Sequence, residues 1–187
     1  EESGESEGLD PAKPFWIVDP LDGTFNFSRR LPFCAVSIAL ATVDTPILGV
    51  VYDFNRGDLY SGAVGHGAWL NGAPMQVSKI TETSRAVLTA GFPVNFVYED
   101  DSLMVFAQMA RSFRKLRMFG SAALSLAYVA AGLADAYAED DIMYWDVAAG
   151  LALVQAAGGY VSCEDTRRLK WARRVRCAAS PQIWGAA

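Results

Sequence analysis

The order of strand-like and helix-like segments predicts a layered domain of the α/β or α+β class. Short apolar runs bounded by glycine and proline fill the first half of the chain, and helical periodicities alternate with strands in the second half. A length of 187 residues suits a single domain over residues 1–187. With 52% hydrophobic residues, the chain is able to bury a sizeable core.

The first half predicts a series of strands. Residues 1–14 are acidic and poor in apolar side chains, which is typical of a mobile arm. Strands are expected at 15–18, 35–43, 47–52, 58–61, 68–70 and 85–90. The dipeptide Asn71-Gly72 is a hairpin signal.

The second half predicts three helices separated by short strands. The helices are expected at 99–113, 122–131 and 146–157, and the strands at 114–118, 134–138, 160–162 and 176–179. Gly132 and Gly158 are natural helix ends. The uncharged run 118–134 consists mainly of small residues, so it predicts a buried helix rather than a membrane span.

Charge and cysteine content narrow the functional classes. The net charge of −5 and the pI of about 4.9 argue against binding to nucleic acid or to an anionic membrane, because both need a basic face. Three cysteines without a C-x-x-C pair favour a reduced, cytoplasmic protein.

The stretch W-I-V-D-P-L-D-G-T-F-N-F over 16–27 predicts a strand that delivers two carboxylates, Asp19 and Asp22, to a turn. Gly23 supplies the positive φ of a sharp reversal, and Thr24 adds a hydroxyl. Two carboxylates held close together repel each other, so they favour a cation with a preference for oxygen ligands, such as Mg²⁺ or Mn²⁺. The alternative is a capped turn in which both acids only accept hydrogen bonds from backbone N–H groups.

A second acidic region lies near the third predicted helix. Asp146, in Trp145-Asp146-Val147, is either an N-cap or the third acid that a two-metal phosphatase needs. Glu139, expected at the end of a strand, is either a group that faces the same site or a solvated loop charge.

Together, these segments resemble the inositol monophosphatase family of lithium-sensitive, magnesium-dependent sugar phosphatases. The resemblance is carried by the stretch over 16–27, by W-D-V-A-A-G followed by A-G-G, by G-H-G-A-W-L-N-G over 65–72 and by G-S-A-A over 120–123. It implies an alternating α-β-α-β-α sandwich of the sugar phosphatase type, here without its N-terminal helical layer.

The resemblance also implies a role for each matching residue. The implied metal ligands are Glu1, Asp19, Asp22, Asp146 and the Leu21 carbonyl. Glu1, Asp22 and Thr24 would be the catalytic residues, with Thr24 and the glutamate activating the attacking water. The substrate-binding residues would be Gly23 and Thr24 for the phosphate, and Gly120, Ser121, Ala122 and Glu139 for the hydroxyl-bearing body.

The expected function is Mg²⁺-dependent hydrolysis of a small phosphomonoester, with inositol 1-phosphate as the first candidate, by a homodimer. Fructose 1,6-bisphosphate, histidinol phosphate and 3′-phosphoadenosine 5′-phosphate are the alternatives, because related phosphatases share these motifs. A further alternative is an inactive metal-binding module: the chain begins at the implied ligand Glu1, where an N-terminal ammonium group disfavours Mg²⁺. Weak or no activity is therefore expected of this chain.

Overall fold

The structure is a computed structural model that describes residues 13–43, 45–92, 99–166 and 169–185. The implied ligand Glu1 and all but the last two residues of the arm expected at 1–14 lie outside these ranges.

The first sheet is a six-stranded antiparallel meander in which each strand pairs with the next along the chain. Its strands are β1 (Phe15–Asp22), β2 (Ala35–Ala41), β3 (Pro46–Asp53), β4 (Asp58–Ala63), β5 (Gly67–Leu70) and β6 (Ala73–Met75).

The second sheet has five strands in the order β10-β11-β9-β7-β8. In this sheet β7 runs parallel to β8 and β9, and the remaining pairs are antiparallel. Its strands are β7 (Val87–Ala90), β8 (Lys115–Arg117), β9 (Ala136–Met143), β10 (Tyr160–Asp165) and β11 (Ala172–Ala178). The helices are α1 (Thr24–Ser28), α2 (Asp100–Ser112), α3 (Ala122–Ala130) and α4 (Tyr144–Ala156), with 3₁₀ turns at Thr83–Arg85 and Pro181–Trp184.

Helices α3 and α4 fill the space between the two sheets. Every residue of α3 is buried, and α4 packs against α3 and against strands of both sheets. Small residues allow this close approach, because a Cβ on Gly49 of β3 would lie 2.2 Å from the carbonyl oxygen of Ala149 in α4. The buried helix expected in 118–134 is confirmed, and no helix among the described residues is long and apolar enough to cross a membrane.

Helix α2 covers the opposite face of the second sheet. Alternate residues of β9 point to opposite faces: Tyr137 belongs to the core around α3 and α4, whereas Ala136 and Ala138 belong to a second core. Phe106 and Met109 of α2 pack against that second core. The described residues therefore form sheet, helix, sheet and helix layers, which confirms the expected layered α/β class.

The outer face of the first sheet is apolar and exposed. Trp16 and Val18 of β1 are 62% and 53% exposed, and Tyr52 and Leu59 pair across β3 and β4 on the same face. Within the part of the chain that the structure describes, this face carries no covering layer.

Several expected boundaries were wrong, including that of β11, which begins at Ala172 rather than at residue 176. Strand β1 continues past Val18 to Asp22, and β9 continues past Ala138 to Met143. Strand β9 passes through its acidic residues with a bulge, since the φ of Asp141 is +56° and the register with β11 shifts between Glu139 and Ile142. Asp140, within this bulge, lies 2.8 Å from the Arg176 guanidinium of β11. Helix α4 begins at Tyr144, so Asp146 lies in its first turn and is not an N-cap.

Candidate metal centre and substrate cavity

Three acidic side chains from two elements meet at one point. Asp19 and Asp22 belong to β1, and Asp146 belongs to the first turn of α4. Each offers a carboxylate oxygen, and the three oxygens lie within 4.8 Å of one another. This separation allows a single cation to contact all three carboxylates.

A bulge in β1 brings Asp19 and Asp22 to the same side. In a regular strand, residues three positions apart face opposite sides of the sheet. Here Asp19 pairs with Ser37 and Asp22 with Ala35, so three steps along β1 correspond to two along β2. The extra residue turns Asp22 back towards the interior, and both acids are buried, at 3% and 8% exposure. The acids therefore lie within the strand, and the turn expected after Val18 begins at Gly23, whose φ is +80°.

The N-terminus of α3 holds one oxygen of Asp22. Asp22 Oδ2 accepts hydrogen bonds from the Ser121 hydroxyl and from the Ala123 N–H, the latter at 3.0 Å. Ser121 is also the N-cap of α3, since its Oγ accepts from the Leu124 N–H at 3.2 Å. Burial, reinforced by the charge of Asp19, raises the pKa of Asp22 to about 6 despite these hydrogen bonds. The ionised carboxylate is therefore costly without a neighbouring positive charge.

The donor set fits a hard divalent cation. The converging groups are carboxylate oxygens, the ligands that Mg²⁺ and Mn²⁺ prefer. Ser37, the cross-strand partner of Asp19, adds a buried hydroxyl that has no hydrogen-bond partner in the described structure. The Leu21 N–H does donate to Asp19 Oδ1 at 2.9 Å, as a capped turn would require. A capped turn alone gives no reason for Asp146 to join the two acids.

A cavity of about 400 Å³ adjoins this acidic triad, and Asp22 lines it. The cavity brings together several residues that the sequence assigned to the substrate: Gly120, Ser121, Ala122 and Glu139. Burial raises the pKa of Glu139 to about 7. A larger cavity of about 670 Å³ lies beyond Glu139, between α2 and the second sheet.

Three other assigned residues, Leu21, Gly23 and Thr24, lie within two residues of Asp22 in the chain but do not line the smaller cavity. Thr24 is exposed at the start of α1, and Gly23 is half-buried just before it. Leu21 lies between the two acids of β1, and its N–H donates to Asp19 Oδ1. Glu1 lies outside the described residues.

Sequence reasoning missed Asn26, which joins α1 to the loop before α3. Its buried side chain donates from Nδ2 to the carbonyl oxygens of Phe33, Phe119 and Gly120, at 2.8, 2.7 and 3.1 Å. These contacts position the backbone of Gly120 at the cavity wall. The only local signal was an amide between two phenylalanines, Phe25 and Phe27.

The model of the inositol monophosphatase family matches residues 1–186. Nus factor SuhB of Escherichia coli is 43% identical over 163 residues, which cover 87% of this chain and 61% of the relative. The inositol-1-monophosphatase of Synechocystis sp. is 41% identical over 167 residues, covering 88% of this chain and 58% of the relative. The solved inositol monophosphatase of Anabaena (Nostoc) sp. is 36% identical with a TM-score of 0.82, covering 92% of this chain and 69% of that one.

The chain spans about three fifths of the length of these two sequence relatives. The match to the family model nevertheless extends over nearly the whole chain and includes both acidic motifs and the cavity residues. The chain therefore belongs to the inositol monophosphatase family.

Proposed function

We propose that this chain hydrolyses a small phosphomonoester with the help of Mg²⁺. The observation that carries the proposal is the convergence of Asp19, Asp22 and Asp146 within 4.8 Å, beside a cavity of about 400 Å³ whose lining includes both polar and apolar side chains. Such a cavity can hold a body the size of a polyol, with its phosphate directed towards the acidic triad.

Asp19, Asp22 and Asp146 would hold the cation. When bound, a divalent cation supplies the positive charge that stabilises a leaving oxygen and lowers the pKa of water. Ser121 and the Ala123 N–H fix the Asp22 carboxylate, so its orientation is set before substrate binds. Thr24 follows Asp22 by two residues, and its side chain is exposed. Its hydroxyl is therefore available to orient the attacking water, the role proposed for Thr24 together with Glu1.

The charges around the cavity favour a neutral, hydroxyl-bearing body. Above its pKa of about 7, Glu139 is a carboxylate that accepts hydrogen bonds from hydroxyl groups and repels a second phosphate. Glu139 and Asp22 both line the cavity, which supports inositol 1-phosphate over the bisphosphates of a sugar or an adenosine. Gly120, in the loop before α3, and Ala122, the first residue of α3, would contact the same body.

Mg²⁺-dependent phosphate release from four substrates tests the proposal. The substrates are inositol 1-phosphate, fructose 1,6-bisphosphate, histidinol phosphate and 3′-phosphoadenosine 5′-phosphate. We expect inositol 1-phosphate to be hydrolysed fastest, and the rate to fall to background in Asp146→Asn. The control Asp100→Asn removes the same charge from an exposed position in α2 and should leave the rate unchanged.

Preference for the nucleotide would refute the inositol assignment. Full Mg²⁺-stimulated turnover by Asp146→Asn would refute the role of the triad. Binding of Mg²⁺ without turnover of any of the four esters would favour the inactive metal-binding module instead.

A further inference from the structure

The Glu139 carboxylate is held by a tyrosine on its own strand. Tyr137 and Glu139 are two residues apart on β9, so their side chains share one face of the sheet. The Tyr137 hydroxyl donates to Glu139 Oε2 at 2.9 Å. Because Tyr137 is fully buried in the core around α3 and α4, packing fixes the direction of this donor.

Gly91, directly after the neighbouring strand β7, leaves the space that the Glu139 carboxylate occupies. Ala90 of β7 pairs in parallel with Ala138, so Gly91 follows beside Glu139. A Cβ on Gly91 would lie 2.2 Å from Glu139 Oε2 and 2.7 Å from Oε1. The φ of Gly91 lies outside the positive range that favours glycine. Glycine at this position is therefore explained by the space that the Glu139 carboxylate needs, and not by the backbone conformation.

The backbone of Glu139 is also anchored. The Arg176 guanidinium of β11 donates to the Glu139 carbonyl oxygen at 3.2 Å and pairs with Asp140 at 2.8 Å. With the main chain fixed from β11 and Oε2 fixed by Tyr137, a methyl group at Gly91 must displace the carboxylate itself.

We propose that Gly91 and Tyr137 are positioning residues that hold the Glu139 carboxylate at the wall of the 400 Å³ cavity and thereby set the preference for hydroxyl-bearing phosphate esters. This inference rests on the proposed function and extends it to two residues that need not touch the phosphate. Gly91 provides the space, and Tyr137 provides the hydrogen bond.

Kinetics with two substrates test the selectivity. Gly91→Ala and Tyr137→Phe should each raise the KM for inositol 1-phosphate, by about tenfold if a hydrogen bond to a charged group is lost. The kcat for inositol 1-phosphate and both constants for phenyl phosphate, which lacks hydroxyls, should stay unchanged. Tyr60→Phe removes the hydroxyl of another buried tyrosine, in β4, and should change neither substrate's constants.

A double-mutant cycle separates positioning from general damage. In a Glu139→Ala background, Gly91→Ala and Tyr137→Phe should have no further effect on KM. An undiminished effect in that background, or an equal loss with both substrates, would overturn the proposal.

Crystal structures of the parent chain and of Gly91→Ala supply a readout that does not depend on activity. We expect the Glu139 carboxylate of the variant to leave Tyr137; a carboxylate that remains hydrogen-bonded to Tyr137 beside the new methyl would refute the positioning role. If the parent chain hydrolyses no ester, the proposed function and its selectivity fail, whereas a displaced carboxylate would still support the positioning of Glu139.

Discussion

Substitution of Asp22 by asparagine measures how strongly the acidic triad needs a cation. Burial raises the pKa of Asp22 from its ordinary value of 3.8 to about 6. At about 1.4 kcal/mol for each pH unit, ionised Asp22 lowers the free energy of unfolding of the metal-free protein by about 3 kcal/mol. Because the folded state binds this proton more tightly than the unfolded state does, the loss develops as the pH rises from 3.8 to about 6.

Asp22→Asn removes this dependence while keeping the shape of the side chain. In EDTA we expect the variant to be more stable than the parent chain at pH 8, by up to about 3 kcal/mol, and about equally stable at pH 4. Urea denaturation at the two pH values measures the difference. The control is Asp100→Asn, which removes the charge of an exposed residue and should show no such pH dependence.

At pH 8, saturating Mg²⁺ should make the parent chain more stable than Asp22→Asn. At 1,000 times its dissociation constant a ligand stabilises the folded state by about 4.1 kcal/mol, which exceeds the loss of about 3 kcal/mol caused by ionised Asp22. The parent chain should gain this stabilisation, whereas Asp22→Asn should gain little of it. An Asp22→Asn variant that is equally destabilised at pH 4 and pH 8, with no change in its response to Mg²⁺, would refute the reasoning. That result would favour the capped turn.

Two further predictions concern the fold. Gly49→Ala places a methyl group 2.2 Å from the Ala149 carbonyl oxygen, so urea denaturation should show a loss of about 1–3 kcal/mol from overpacking between β3 and α4; an unchanged midpoint would contradict this contact. Val18→Lys adds a charge to the exposed apolar face of the first sheet, so it should weaken self-association in sedimentation and reduce the binding of an apolar dye. Equal sedimentation of the variant and the parent chain would exclude this face as a site of association.

The sequence was sufficient to predict the layered class and most of the elements, because their signals are local. Apolar runs of strand length predicted β2, β3 and β7, and helical periodicity predicted α2. The motif at 16–27 is sufficient to predict that Asp19 and Asp22 lie close together as candidate metal ligands. Asp146 is also predicted as a candidate metal ligand. Its position in the first turn of α4 is not predicted, because the helix was expected to begin at Asp146 itself.

Features that depend on distant partners were not predictable from single segments. The bulge that brings Asp19 and Asp22 to one face is visible only in the register with β2. The continuation of β9 through Glu139 and Asp140 depends on arginines of β11, which follow more than thirty residues later. The three hydrogen bonds of Asn26 likewise join segments that are separated in the chain.

The central claim is that Asp19, Asp22 and Asp146 hold one divalent cation together. Titration of the metal-free chain with Mn²⁺, followed by electron paramagnetic resonance, tests it most directly, with each acid replaced in turn by asparagine. We predict that the parent chain and the Asp100→Asn control bind Mn²⁺ equally, and that each of the three triad variants binds it much more weakly. Binding by Asp146→Asn with the affinity of the parent chain would contradict the account.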